Sequence, residues 1–467
     1  MAGKMTTRRN FIRFAAATSV AAGVGVPAII SAKNVEILKP KKPRPVAPID
    51  TVRIATIGMG IIGFEDTSTA LATPGVELVA VADLYDGRLK RAKEVYGNQV
   101  ATTRDYREVL ARPDVDAVLV CTPDHWHTQI AVDAMAAGKA VYCEKPMVQK
   151  VEEGHRIIEA QKRTGQVLQV GSQFASDLVY HKAKELYASG AIGALNLVEA
   201  TYNRNSSIGA WQYSIPPDAS PETIDWDRFI GSAPKRPFDP IRFFRWRNYQ
   251  DYGTAVAGDL FVHLLTGIHL VTNSLGPTRV VGMGGLRYWK DGRDVPDVIL
   301  GLFDYPENDR HPGFNLALQC NFKDGGGGDQ MFRFIGSEGV ITVKGNGLTL
   351  TRTPTQGPSE NEVVRGYNSV RTFSEEQQEA FTKQYRMEHS EPEPASLAET
   401  RSFETTRGYD ARYDHFVNFF TSMREGKPVL EDPTFGFRAA APALMVNMSY
   451  YDKKVYNWDP VAMRIPT

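Results

Sequence analysis

The feature that most constrains this chain is Gly58-Met59-Gly60-Ile61-Ile62-Gly63, because it follows directly on the strand-like run Val52-Arg53-Ile54-Ala55-Thr56-Ile57 and leads into a helical stretch. Glycine permits the tight turn and lets the backbone approach a pyrophosphate, whose charge then rests on the N-terminus of the next helix. The next apolar run, Val76 to Ala82, ends in Asp83, where a carboxylate accepts hydrogen bonds from the adenosine ribose hydroxyls. Strand, glycine turn, helix, strand and terminal acid in this order predict a dinucleotide site made by Gly58, Met59, Gly60, Ile61, Ile62, Gly63 and Asp83. A carboxylate at that strand end meets a 2′-phosphate with like charge, so Asp83 favours NAD, while the nearby Arg88 leaves NADP as the alternative.

The alternation continues with a helix near Tyr106 to Ala111, a strand Asp116 to Cys121, a helix Thr128 to Gly138 and a strand Ala140 to Cys143. This is the pattern of a Rossmann doubly wound parallel sheet, an α/β architecture. Thr122-Pro123-Asp124-His125-Trp126-His127 then reads as a loop at the carboxyl edge of the sheet, where ligands of such folds collect, and Glu144-Lys145-Pro146-Met147 follows the last strand. After a helix around His181 to Ser189 come apolar runs without intervening helices: Leu195 to Tyr202, Arg279 to Tyr288, Val298 to Tyr305, Phe314 to Phe322 and Met331 to Lys344. They predict a C-terminal α+β domain with a large open, mainly antiparallel sheet.

A chain of 467 residues is too long for one ordinary core, and the boundaries fall at 51–171 for the first domain and 172–467 for the second. Within the second, 354–408 is rich in Glu, Gln, Ser and Pro and reads as an exposed insertion with one helix near Glu375 to Met387. Tyr413 to Met423 and Arg438 to Tyr451 look helical again and are expected to pack back on the first domain.

Ahead of all this, Arg8-Arg9 precedes the alanine-rich run Phe14 to Ile30, a pattern that predicts a Tat-type signal over 1–32. Export to the periplasm follows, with an uncleaved N-terminal membrane anchor as the alternative and no stable membrane insertion once the signal is removed. Residues 33–50, with the proline- and lysine-rich KPKKPRPVAP at 39–48, read as a semi-rigid linker. Lys+Arg and Asp+Glu each total 54, so nothing in the charge balance calls for nucleic acid. The three cysteines, Cys121, Cys143 and Cys320, predict no disulfide framework. His125 and His127 lack a supporting cluster of ligands beyond Asp124, so no metal is expected.

The T-P-x-x-x-H run from Thr122 and the A-G-K-x-V-x-x-E-K-P run from Ala137 resemble the Gfo/Idh/MocA dehydrogenases, glucose–fructose oxidoreductase and inositol dehydrogenase among them. The resemblance covers roughly 52–345 and the C-terminal helices. It implies that Thr122, Pro123 and His127 line the nicotinamide half of the site, that Glu144 helps to hold the cofactor, and that Lys145 reaches the reacting hydroxyl. It also implies that the second domain binds the substrate and forms a homo-oligomer, a dimer or tetramer. Asp259 and His263, four apart in a segment of helical spacing, share one helix face and match the family's D-x-x-x-H pair. His263 would then take the proton of a sugar hydroxyl, Asp259 orient its imidazole, and Lys145 stabilise the developing alkoxide.

The stretch 203–252 mixes flat rings with polar groups, as carbohydrates require; Asn203, Arg204, Trp211 and Trp246 are the foremost candidates, beside Asn205, Tyr213, Arg245 and Tyr249. An exported enzyme must keep its nicotinamide bound. The favoured reading is therefore a carbohydrate oxidoreductase that oxidises one carbohydrate and reduces another. A glycoside hydrolase acting by transient oxidation is the alternative, against which Lys145 argues. A dehydrogenase feeding an external carrier and a non-catalytic nucleotide- or sugar-binding protein complete the field.

Overall fold

The computed structural model describes residues 35–40, 47, 50–353, 359–389 and 398–466, so the signal predicted over 1–32 lies outside the described residues. Glu36–Thr467 forms one compact unit. Two sheets organise it. The first has six parallel strands in the order Ala101–Thr103, Val76–Ala82, Val52–Ile57, Ala117–Val120, Ala140–Cys143, Leu168–Val170. Its strands Val52–Ile57, Ala117–Val120, Ala140–Cys143 and Leu168–Val170 are short and almost wholly buried, as parallel strands covered by helices must be. The chain builds outward from Val52–Ile57 in one direction, then returns to add Ala117–Val120 on the other side. At that reversal the two following loops diverge and open a crevice at the strands' carboxyl ends.

The second sheet has ten strands: Val35–Leu38, Glu399–Thr405, Gly347–Arg352, Gly339–Lys344, Gln330–Gly336, Leu195–Tyr202, Phe314–Asn321, Val298–Tyr305, Arg279–Gly285 and Tyr456–Asn457. Leu195–Tyr202 and Phe314–Asn321 pair in parallel, and the pairs from Glu399–Thr405 to Gln330–Gly336 and from Phe314–Asn321 to the far edge run antiparallel. Along Val298–Tyr305 burial alternates: Ile299 and Phe303 enter the core while Leu300 and Leu302 face outward. Helices Leu178–Ala188, Val262–Thr272 and Pro433–Asp452 contribute to the same hydrophobic cluster as that inner face, and the cluster also takes in Ala55, Val118 and Val141 of the first sheet. The helix Ala411–Glu425 packs on the first domain, where Phe416 stacks on Tyr142 at 4.3 Å between centroids and joins Phe419 and Phe420 against Val52, Ile54 and Leu119. Each buried ring there is worth about 1.5–3 kcal/mol of transfer free energy.

Several expectations change. Met331 to Lys344 is two strands joined at Ser337-Glu338, not one run. Helix formation begins at Asp124, so the stretch expected to be loop through His127 is mostly the first turn of the helix Asp124–Ala136, with Pro123 at its N-cap. The linker expected over 33–50 contains the strand Val35–Leu38, whose Leu38 oxygen accepts from Thr406 N at 3.3 Å. The insertion expected over 354–408 supplies the strand Glu399–Thr405 and the helices Glu360–Arg365 and Glu375–Glu388; 354–358 and 390–397 lie outside the described residues.

Candidate active site

The crevice is a cavity of about 360 Å³ lined by Gly58, Gly60, Ile61, Ile62, Asp83, Thr122 and Pro123 at one side and by Arg204, Tyr213, Trp246 and Arg247 at the other. That size suits a small-molecule site. The three glycines differ in what they do. At Gly58, with φ +94°, an added Cβ would lie 2.6 Å from Cys121 O, and at Gly63 it would lie 2.0 Å from Gly58 O; these two are demanded by the turn and by helix–strand packing. At Gly60 the nearest atom would be an Arg88 nitrogen at 4.0 Å, so the missing side chain keeps the cavity open where a pyrophosphate would lie. No side chain caps the helix Ile61–Leu71 that starts there, which leaves its first-turn N–H groups for an anion.

Asp83 is buried at the tip of its strand. Its Oδ2 accepts from Met59 N at 2.7 Å and its Oδ1 from Tyr85 N at 2.9 Å, which clips the glycine turn to the second strand and leaves lone pairs for a ribose. Arg88 lies 3.5 Å from Asp83 and against Phe243 and Phe244 at the same end of the cavity. The donor set fits an adenine dinucleotide.

Not every residue expected at the cofactor lines the cavity. The Met59 side chain is buried with Val81, Ala92 and Val100, so only its backbone serves the turn. His127 is enclosed, with Nδ1 2.8 Å from Pro146 O and Nε2 2.8 Å from Thr122 O. It ties the Thr122 turn to the loop after Lys145 and does not line the cavity. Glu144 is likewise enclosed. Burial raises its carboxyl against the opposing pull of Lys145 and Arg412, and it shares its surroundings with buried Asp66, raised by its own burial and by Glu144.

Lys145 stands in the loop with the cis Lys145–Pro146 bond, and its Nζ lies 3.1 Å from Asp259 Oδ1 and 3.1 Å from Asp259 O. Arg247 Nε reaches the same Oδ1 at 3.2 Å. Burial alone would raise the Asp259 carboxyl, but Lys145 and Arg247 outweigh it and hold it well below the usual carboxylate range. Asp259 therefore holds Lys145, and the expected orientation of His263 by Asp259 does not occur. The reason is local: Ala257–Phe261 forms a π-helical turn before the α-helix Val262–Thr272, and its extra residue per turn breaks the four-residue alignment. His263 Nδ1 has no hydrogen-bond partner among the described residues, and the ring packs by Phe174 and Tyr202. Burial, reinforced by Lys145, lowers its pKa well below the ordinary imidazole value, so the ring is neutral near pH 7.

Of the four foremost substrate candidates, Arg204 and Trp246 line the cavity. Trp211 does not: it is 1% exposed and packs edge-on against Phe322 at 4.8 Å. Asn203 is also committed elsewhere, donating to Asp329 Oδ1 at 2.7 Å and accepting from Asn321 N at 2.9 Å. Two residues escaped sequence reasoning. Arg247, stacked 4.2 Å over Trp246, is one. The other is Asp124, buried, whose Oδ2 accepts from Thr254 N at 2.9 Å and Oγ1 at 2.7 Å. Burial and neighbouring Asp259 push its carboxyl up to about 7. The only advance signal for Asp124 was its place at a helix start beside the cavity, and for Arg247 its place within an Arg- and Trp-rich run.

Fold and site together define a dinucleotide-binding α/β protein that carries a second, ten-stranded and mostly antiparallel sheet. Residues 52–172 match the model of the Gfo/Idh/MocA oxidoreductases, described as the oxidoreductase family with an NAD-binding Rossmann fold. Inositol 2-dehydrogenase of Salmonella typhimurium is 30% identical over 176 residues, 37% of this chain and 52% of that protein. Glycosyl hydrolase family 109 protein 1 of Shewanella sp. strain MR-4 is 35% identical over 173 residues, 34% of this chain and 37% of that one. The chain thus spans about half, or less, of the length of these curated relatives. Among solved structures, levoglucosan dehydrogenase in complex with NADH and levoglucosan superposes with a TM-score of 0.61 at 17% identity, over 87% of this chain and 99% of that one, a likeness of fold.

Proposed function

We propose that this protein is an oxidoreductase that transfers hydride between NAD and a hydroxyl-bearing carbon of a sugar or sugar derivative. The observation that carries this reading is the anchored ammonium of Lys145, fixed by two oxygens of Asp259 beside a cavity that begins at the glycine turn and ends among Arg204, Trp246 and Arg247. NAD, when bound, supplies the hydride acceptor. Around it, Gly60 and the uncapped helix start take the pyrophosphate and Asp83 the ribose. Lys145 donates to the reacting hydroxyl and stabilises negative charge growing on its oxygen. His263, held neutral by its burial, accepts the proton at Nε2, since Nδ1 is enclosed. Trp246 offers an aromatic face to the sugar ring.

The inositol 2-dehydrogenase relatives support a polyol or sugar substrate. The Shewanella relative supports a second reading, glycoside hydrolysis through transient oxidation. Arg8-Arg9 and the apolar run behind it support export by the Tat route, in which a folded enzyme carries its nucleotide with it. The test is release of nucleotide from protein denatured directly after purification, identified by mass spectrometry, alongside incubation with a sugar panel. NAD or NADH whose redox state changes with a sugar supports the oxidoreductase; cleavage of aryl glycosides with catalytic NAD supports the hydrolase; protein that neither carries nor takes up nucleotide overturns both.

A further inference from the structure

The substrate end of the cavity holds more positive charge than a neutral sugar would leave unbalanced. Arg204 and Arg247 line it and Lys145 adjoins it. One fixed carboxylate, Asp259, stands against these three cations, and it is already shared between Lys145 at 3.1 Å and Arg247 at 3.2 Å. Asp124, its carboxyl pushed up to about 7 by burial and Asp259, offsets only part of that charge. Glu65, also on the cavity wall, is taken by Arg412 at 2.7 Å. The charge of the dinucleotide falls on the helix start at Gly60.

The two guanidinium groups are held in place with donors to spare. Arg204 donates one bond, from Nη1 to Gly209 O at 2.8 Å, lies against the rings of Tyr202 and Phe322, and forms no ion pair among the described residues. Arg247 meets Asp259 through Nε while its plane lies on Trp246. An arginine carries five donors in a rigid fork that suits carboxylate and phosphate oxygens, and a partly enclosed cation without a counter-charge is costly. We propose that the sugar substrate carries an anionic substituent, a carboxylate or a phosphate ester, held by Arg204 and Arg247. This rests on the oxidoreductase reading of the same site.

The test uses the full chain with NAD and three ligands: a neutral hexopyranose, the uronic acid made from it and its 6-phosphate. NADH formation and the shift in melting temperature are read for each. At least one anionic sugar is expected to exceed the neutral one by about tenfold or more in kcat/KM and to raise the melting temperature at concentrations where the neutral one does not. The better of the two identifies the group.

Arg204→Gln should erase most of that preference and Arg204→Lys restore part of it, with NADH affinity measured in both to show an intact fold. Arg204 is chosen over Arg247 because replacing the latter would also loosen Asp259. A neutral sugar that equals or beats both anionic ones overturns the proposal. If no sugar is oxidised but an anionic one still raises the melting temperature, hydride transfer fails and the anion site stands; if no sugar does either, both fail.

Discussion

Lys145 and Asp259, which are far apart in sequence, meet through two bonds: the Lys145 ammonium lies 3.1 Å from both the Oδ1 and the main-chain oxygen of Asp259. The ammonium is thereby fixed from two atoms of one residue, and its third proton is left for a ligand. Lys145→Met should lower kcat by about 10²–10⁴-fold. NADH affinity should stay within a few-fold, because its pyrophosphate and ribose would be held by the glycine turn and Asp83; stopped-flow reduction and NADH titration separate the two effects. Asp259→Asn leaves Lys145 and Arg247 enclosed without their counter-charge, at a cost of about 3–5 kcal/mol. Because the folded-state pKa of Asp259 is depressed, its stabilisation is present above the ordinary carboxylate range and is lost only as pH falls through that low value. The drop in urea midpoint for Asp259→Asn should therefore persist from neutral to mildly acidic pH. An active Lys145→Met protein would remove Lys145 from the reaction.

Gly60 and Gly63 stand three residues apart and should fail in different ways. A side chain at Gly60 meets nothing of the protein closer than 4.0 Å, so Gly60→Val should fold with nearly the original melting temperature yet bind NADH at least about tenfold more weakly. A Cβ at Gly63 would lie 2.0 Å from the Gly58 oxygen, so Gly63→Ala must displace the turn and lose both stability and NADH binding. Thermal unfolding without ligand distinguishes them. Equal affinity for NADH in Gly60→Val would mean that the nucleotide does not lie against this turn.

Much of the first domain was legible because its signals are local. The glycine turn needs only backbone space, and Asp83 follows from the length of one strand–helix–strand unit. In the second sheet, Leu195–Tyr202 and Val298–Tyr305 were plain as apolar runs, whereas Glu399–Thr405 hid behind six charged or hydroxyl-bearing side chains around Phe403. That strand exists through its pairing with Gly347–Arg352, a long-range partner that no local pattern announces. The Asp259–His263 reading assumed an α-helical step, and the π turn at Ala257–Phe261 removed it. Trp211 looked like a sugar platform because a flat ring in a polar stretch reads the same whether it faces a ligand or Phe322.

His415 offers a stability prediction independent of catalysis. It is fully buried, with Nε2–H donating to Val170 O at 2.8 Å and Nδ1 bonded to Ser176 Oγ at 2.7 Å, so the neutral ring is satisfied. Burial, only partly opposed by the Val170 carbonyl, lowers its pKa from 6.5 to about 4. The unfolded chain therefore binds this proton first on acidification. The contribution is fully present above pH 6.5 and declines between 6.5 and about 4, by about 3 kcal/mol at most. In urea melts, the stability gap between the wild type and His415→Gln should be widest near pH 7 and narrow steadily toward pH 4. A gap unchanged over that range would show that folding does not lower the imidazole's pKa.

Asp83 and Arg88 together are expected to set the choice of dinucleotide. The carboxylate is held at the strand end by Met59 N and Tyr85 N, so it cannot swing away from a ribose phosphate. Arg88, 3.5 Å distant and packed by Phe243 and Phe244, would be drawn to the same phosphate once the acid is removed. Asp83→Ser should weaken NADH binding, because the ribose loses its charged acceptor, and strengthen NADPH binding, because a like charge disappears while the guanidinium remains. A change of about 10²-fold in the ratio of the two affinities is expected, equivalent to about 2.7 kcal/mol. Adding Arg88→Ala should take back the gain for NADPH and leave NADH little altered. Fluorescence titration of all four combinations of protein and cofactor measures this directly, and a ratio that Asp83→Ser leaves unchanged would place the adenosine ribose away from this strand end.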